Sequence, residues 1–183
     1  VHDRHVRRLK GEELPHIYSF RIIHRDGSIR WGELNAVLIK WNRESATLNF
    51  VNDITERKRA EDKLHSSEKL YRSLFESIRD AILVADSDRR VIDCNAAFRE
   101  LFGYTQAELE GKKTAYVYEN ENEYMQLGEA LKEHMGEPGF LFTVNYKRKS
   151  GEIFPGETSV FYLRSEDGEV IGFIGVIRDV TER

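Results

Sequence analysis

The chain repeats itself, and that repeat limits the folds open to it. Residues 20–33 read FRIIHRDGSIRWGE and residues 144–157 read VNYKRKSGEIFPGE. Each run is a strand, a tight turn at a glycine (Gly27, Gly151), and a second strand bearing Gly32-Glu33 or Gly156-Glu157. Each is followed by another apolar strand, Ala46 to Val51 in the first and Val170 to Ile177 in the second. Both then close on nearly the same pentapeptide, Asp53-Ile-Thr-Glu-Arg57 and Asp179-Val-Thr-Glu-Arg183. The turn glycines lie 124 residues apart and the pentapeptides 126, a difference of one small loop. A duplicated module is the economical reading. The second copy has about 75 residues upstream that the first lacks, so the first reads as truncated.

Between the copies, residues 54–78 read as a helix. Asp53 is placed to cap it, with Glu56 three residues on completing a capping-box pattern. No glycine or proline interrupts the stretch, and good helix formers dominate it. Leu64, Tyr71 and Ile78 recur every seven residues, with Ala60, Ser67 and Leu74 between them. That spacing is a heptad seam suited to pairing with a second copy of the helix. Leu70 and Phe75 widen the apolar stripe, which leaves open a helix that packs on its own domains.

The segment after the helix alternates cleanly. Two short strands are expected at Ala81 to Ala85 and Val91 to Cys94, joined by a turn at Ser87-Asp88-Arg89. Asn95 caps a helix over Ala96 to Phe102 that Gly103 stops, and Thr105-Gln-Ala-Glu108 is a capping box opening a helix ended by Gly111. A longer helix is expected over Glu121 to Met135, then strands over 140–148, 152–163 and 169–178. Strands, then helices, then strands indicate an antiparallel α+β sheet with helices on one face, rather than a doubly wound parallel sheet.

Composition narrows the partners. A net charge of -4 with both signs interspersed favours neither a nucleic-acid backbone nor an anionic membrane. The longest apolar run, Val170 to Ile177, is far short of the roughly 20 residues that span a bilayer. The only cysteine, Cys94, cannot form an internal disulfide, so a cytoplasmic setting is expected.

Taken in order, these residues resemble the PAS family with its C-terminal PAC motif. The signals are 75–86 (FESIRDAILVAD), Cys94-Asn-Ala-Ala-Phe98, Phe102-Gly-Tyr104, Leu109-Glu-Gly111, the two basic turns and the two D-[IV]-T-E-R closures. The resemblance implies a five-stranded antiparallel sheet whose concave face and covering helices enclose a small pocket. It divides the chain into the C-terminal part of a first PAS domain (1–57), a helical linker (58–70) and a complete second PAS domain (71–183). The family's usual work is sensing, by binding a ligand or by relaying a conformational change into a flanking helix. The output domain, of histidine-kinase or diguanylate-cyclase type as in two-component systems, would lie outside this chain, which is itself expected not to be an enzyme. Homodimerisation through Leu64, Tyr71, Leu74 and Ile78 is the expected assembly. The relay is expected at Asp53, Thr55 and Arg57 and at Asp179, Thr181 and Arg183.

For the pocket, strand alternation sets Phe142, Val144 and Tyr146 on one face and Phe154, Gly156 and Thr158 on another. The family pattern turns both inward, under Phe98, Leu101, Phe102, Tyr116 and Val117. These aromatics either fill the core outright or line a small-molecule cavity, with Gly156 as the residue small enough to leave room. Light-driven flavin adduct chemistry of the LOV subgroup is excluded, because Thr114 stands where that group carries its reactive cysteine, and a hydroxyl lacks thiolate chemistry. Haem is disfavoured: His134, at the end of its helix, reads as readily as a favourable charge at a helix C-terminus. The other histidines lack the spacing of a zinc site, so no metal is expected. Two other functions stay open at this point: a homodimerisation scaffold without ligand, and a flavin or haem redox or gas sensor.

Overall fold

The computed structural model describes residues 2–9, 12 and 14–181. Arg183, expected in the relay, lies outside the described residues. The chain divides into two compact units, Val1–Leu70 and Tyr71–Arg183.

In the first unit a short helix α1 (His2–Leu9) precedes strands β1 (Ile17–Ile23), β2 (Ile29–Trp41) and β3 (Glu44–Asp53), which pair antiparallel in the order β1-β2-β3. Gly27 makes the first turn at φ 80°, and the Asp26 carboxylate accepts the Ser28 N–H at 2.8 Å. The β2–β3 turn is two residues long, with Asn42 and Arg43 both left-handed (φ 49° and 70°). That mirror-image turn matches strand twist, and β2 runs to Trp41 before it. Along β2 the buried residues alternate, Gly32, Leu34 and Ala36, while nearly all of β3 is exposed.

Helix α2 (Thr55–Ser77) begins two residues after β3 ends. It is one unbroken helix, within a residue of the expected 54–78 at each end. Asp53 belongs to the strand rather than to the helix cap, and its Oδ1 accepts the Thr55 N–H at 2.9 Å. Ile54 and Thr55 are buried, whereas Leu64, Tyr71 and Leu74 are 62, 53 and 57 % exposed. Ile78 falls just beyond the helix end and is also exposed.

In the second unit β4 (Ala81–Asp86) and β5 (Val91–Cys94) precede helices α3 (Ala96–Phe102) and α4 (Gln106–Leu109), a 3₁₀ turn (Thr114–Val117) and α5 (Glu121–Glu133). Strands β6 (Gly139–Lys147), β7 (Ile153–Arg164) and β8 (Val170–Asp179) complete a five-stranded antiparallel sheet of order β5-β4-β8-β7-β6. The fold class is the expected α+β. Asn95 caps α3 through its Oδ1, Gly103 ends that helix at φ 79°, and the Thr105/Glu108 capping box forms. The core joins Phe98, Phe102, Val117, Leu127 and Leu131 from the helical side to Val144, Tyr146, Phe154, Val160 and Ile177 from the sheet. No helix among the described residues is long and apolar enough to cross a membrane.

Candidate functional site

Between the second sheet and its helices lies a cavity of about 40 Å³. Leu83, Ala85, Val160, Phe173, Gly175 and Ile177 line it from the strands, and Leu127 and Leu131 from α5. Its polar contributors are Arg89, Thr114, Tyr118, Tyr146 and Thr158. The Tyr146 hydroxyl and the Thr158 hydroxyl lie 2.7 Å apart, hydrogen-bonded across β6 and β7. Burial pushes the phenol pKa of Tyr146 well above its ordinary value. Burial also raises that of Tyr118, against the pull of the neighbouring Arg89 guanidinium. Both phenols therefore stay neutral hydrogen-bonding groups.

Of the expected pocket residues, Tyr146 and Thr158 line this cavity. Phe98, Phe102, Val117, Val144 and Phe154 are buried in solid core, and Leu101 and Phe142 pack on its margin. Two expectations are corrected. Tyr116 is 55 % exposed, because the 3₁₀ turn brings Thr114 and Val117 to one side and sends residue 116 outward. Gly156 leaves no room for a ligand: a Cβ there would sit 2.5 Å from the Tyr146 ring, which already fills the space. Aromatic packing across the strand explains this glycine. Thr114 was singled out only for its place at the LOV cysteine position, Arg89 read only as part of a turn, and the other lining residues had no sequence signal beyond strand or helix periodicity.

A haem or a flavin ring does not fit a cavity of this volume; sites for such groups run to about 300 Å³ and more. His134 caps α5, stacks on Phe140 at 4.7 Å, contacts Glu137 at 3.0 Å and does not line the cavity. Thr114, at the position of the LOV cysteine, is buried against the cavity. Cys94 is buried on β5; its thiol donates to Gln106 Oε1 at 3.0 Å and burial raises its pKa, so it is held as an unreactive thiol. Among the described residues no cluster of His, Cys, Asp or Glu could hold a metal.

The described residues among those expected in the relay lie at the two sheet exits. In the first unit Thr55 Oγ1 accepts the Trp31 N–H at 2.9 Å, Ile54 N–H donates to the Trp31 carbonyl at 2.9 Å, and Arg57 pairs with Glu33 at 3.0 Å. The first turn of α2 is thereby tied to the middle strand. In the second unit Asp179 accepts the Thr181 N–H at 2.9 Å and pairs with Arg148 at 2.7 Å. Burial alone would raise the Asp179 carboxyl, but the bonds from Thr181 and Arg148 outweigh it and hold the pKa low. Arg148, not singled out in the sequence, also donates to the Leu101 carbonyl and lies 4.3 Å over the Phe154 ring. It thus joins a covering helix, a core aromatic and the sheet exit.

Asn95 ties the entrance of the same unit. Its amide is fully buried, its Oδ1 accepts from Ile82 N and Phe98 N, and its Nδ2 donates to the Ile78 and Asp80 carbonyls. All four contacts suit one buried amide.

Comparison with known proteins agrees with this geometry. Sensor protein FixL of Bradyrhizobium diazoefficiens is 28% identical over 174 residues, covering 90% of this chain and 33% of that protein. Sensor histidine kinase TmoS of Ectopseudomonas mendocina is 25% identical over 122 residues, 66% of this chain and 12% of that protein. The chain therefore spans a third or less of the length of these curated relatives. A PAS domain of a protein from Colwellia psychrerythraea superposes with a TM-score of 0.59 at 22% identity, over 63% of this chain and 98% of that one, and shares the fold. A family model described as PAS domain matches residues 79–182, more than half of the chain. On that match, with the strand order and the helical cover in place, the chain belongs to the PAS domain family.

Proposed function

We propose that this chain is the sensing and relay segment of a signal-transduction protein. The cavity of residues 71–183 takes a small ligand or registers a change in packing. The helices leaving the sheets carry that change to an output domain of histidine-kinase or diguanylate-cyclase type in the full-length protein. The segment itself does no catalysis. The carrying observation is the sheet-to-helix joint: Thr55 on Trp31, Arg57 on Glu33 and Asp53 on Thr55 leave α2 no independent way to start. A shift of β2 moves the helix with it. Signalling requires two such arrangements of similar free energy, each favoured by a different input.

The same reading takes residues 1–57 as the C-terminal part of a first PAS domain, 58–70 as a linker and 71–183 as the second domain. Matching register supports it: Gly32 faces Asp53 as Gly156 faces Asp179, and Phe20 faces Gly32 as Val144 faces Gly156. Strand β8 pairs on its far side with β4, and the corresponding edge of β3 is where an equivalent strand would add. The exposed seam at Leu64, Tyr71, Leu74 and Ile78 supports a parallel homodimer, since apolar side chains at heptad spacing gain most by pairing. Single cysteines test this in the full chain. Leu64→Cys, Tyr71→Cys and Ile78→Cys are expected to cross-link far more readily than Ser66→Cys or Lys69→Cys. Equal yields would sink the parallel dimer.

A further inference from the structure

Arg89 is placed with unusual care for a turn residue. It sits at φ 60°, a left-handed conformation that a side-chain-bearing residue seldom adopts. Its N–H donates to the Asp86 carbonyl and its own carbonyl accepts the Thr114 N–H, each at 2.9 Å. The guanidinium is fixed as well. Nη1 donates to the Tyr124 carbonyl at 2.7 Å, and the group stacks 3.6 Å over the Tyr124 ring. Helix α5 leaves space for it at Gly128, where a Cβ would come within 2.8 Å of Nη1.

With this much holding it, Nη2 is shielded from solvent and makes no hydrogen bond of normal geometry; its polar neighbour is Tyr118, whose ring the guanidinium also faces at 5.7 Å. A buried donor without an acceptor is rare, and rarer on a cation. Arg89 lines the cavity together with the hydroxyl-bearing Thr114, Tyr118, Tyr146 and Thr158, and no acidic side chain among the described residues lines it. The cavity therefore has one cationic, hydroxyl-rich end and otherwise apolar walls. A neighbouring cleft of about 390 Å³ is lined by Arg89, Leu131 and Phe173 too, so these three side chains stand between the two.

Resting on the ligand-sensing reading above, we propose that the cavity binds a short monocarboxylate through Arg89. The carboxylate would accept from Nη2 and from the neighbouring hydroxyls, and its alkyl end would lie on Leu83, Val160 and Ile177. Size sets the class. A cavity of about 40 Å³ has room for more than a single water and for no large ligand, so an anion of acetate's size fits. Charge-assisted bonds to carboxylate suit the guanidinium better than any neutral acceptor.

The test is calorimetric titration of the full chain, freed of carboxylates, with sodium acetate, sodium propionate and ethanol. Acetate is expected to bind with a dissociation constant on the order of 0.1–10 mM, as so small a ligand allows. Ethanol should bind at least about tenfold more weakly, since it lacks the charge. Arg89→Met should weaken acetate by about tenfold or more; it relieves the unsatisfied Nη2 but also gives up the Nη1 bond to the Tyr124 carbonyl, so binding and not Tm is the readout. Gly128→Ala, a change that favours the helix, should displace the guanidinium and weaken acetate severalfold while leaving ethanol unchanged; it decides alone if Arg89→Met does not fold. Acetate binding that is unchanged in the variants, or no tighter than ethanol binding, overturns the proposal. If ethanol binds and acetate does not, the carboxylate assignment alone falls and sensing of a neutral ligand stands. If none of the three binds, the assignment falls together with ligand sensing, and only relay of a packing change is left.

Discussion

The two three-stranded units β1-β2-β3 and β6-β7-β8 are written in the same pattern and end in different surroundings. Both turn at a left-handed glycine, Gly27 or Gly151. In both, the glycine of the middle strand is overlaid by side chains from the strand beside it: Phe20 and Ile22 over Gly32, Tyr146 over Gly156. Both exit through an aspartate that accepts the N–H of the threonine two residues on. Yet Tyr146 and Phe154 are wholly buried, while Ile22, Leu48, Phe50 and Val51 are exposed. The strand pattern is thus sufficient for pairing and register, and burial comes from elements outside it. In the second unit those elements are β4, α3 and α5, which close one edge and one face.

The comparison is broken most severely at the buried amide of Asn95, a residue with no counterpart in the first unit. Asn95→Leu strands two buried N–H groups and two carbonyls, and should destabilise residues 71–183 by roughly 3–5 kcal/mol. Urea unfolding followed by hydrogen exchange should show the β1-β2-β3 amides unmoved. A global loss of protection in both units would mean that Asn95 supports more than its own sheet.

A matched pair of glycine substitutions comes next. Gly156→Ala drives a Cβ to 2.5 Å from the buried Tyr146 ring, with core on every side, and should cost about 2–3 kcal/mol. Gly32→Ala meets Ile22 at 3.0 Å and Phe20 at 3.1 Å, side chains that can swing toward solvent, and should cost below about 1 kcal/mol. Equal costs in chemical denaturation would mean that the first sheet is covered in solution.

These glycines also show what the sequence made legible. The paired Gly-Glu sites, the turn glycines and period-two alternation were enough to place these strands, because each is a local backbone requirement. The caps at Asn95 and Thr105 are equally local. The cavity was only partly legible. Face periodicity points Tyr146, Gly156 and Thr158 inward together, but not that the Tyr146 ring would lie on Gly156 and displace the expected void. Tyr116 was assigned to the pocket by the family pattern and is sent outward by a 3₁₀ turn. Arg89 enters the site through a left-handed turn conformation and a gap at Gly128, two features separated by 39 positions that no short motif records.

A smaller difference separates the two exits. Trp31 offers its N–H to Thr55, whereas the equivalent residue before Gly156 is Pro155, which has none; there the Thr181 hydroxyl bonds Asp179 instead. Thr55→Val should therefore cost about 1–1.5 kcal/mol, because it orphans the Trp31 N–H at a buried threonine. Thr181→Val, at an exposed position, should stay within about 0.5 kcal/mol. Thermal unfolding of the two variants side by side reads this directly, and the reverse order would deny that α2 is held by its joint to β2.

The mildest expected effect lies at the turns themselves, and it separates a docked turn from a free-standing one. At the Gly27 turn the Asp26 carboxyl is held low by hydrogen bonds from Ser28, within the turn. At the Gly151 turn the anchor is distant: Lys149 pairs with Glu108 of α4 at 2.6 Å, and its N–H donates to the Phe102 carbonyl at 2.8 Å. Lys149 and the Thr105 cap bonds together lower the Glu108 pKa from an ordinary 4.5 to about 2. Since the folded value is the depressed one, the stabilisation from this pair is present above 4.5 and is lost as pH falls toward about 2. Both groups lie at the surface, so the stability effect is small and the titration itself is the better readout. NMR titration of the Glu108 side chain should give a midpoint near about 2, moved upward by Lys149→Met, while Asp26 is unaffected. A Glu108 midpoint indifferent to Lys149→Met would mean that the second turn, like the first, is held by its own residues and not by α4.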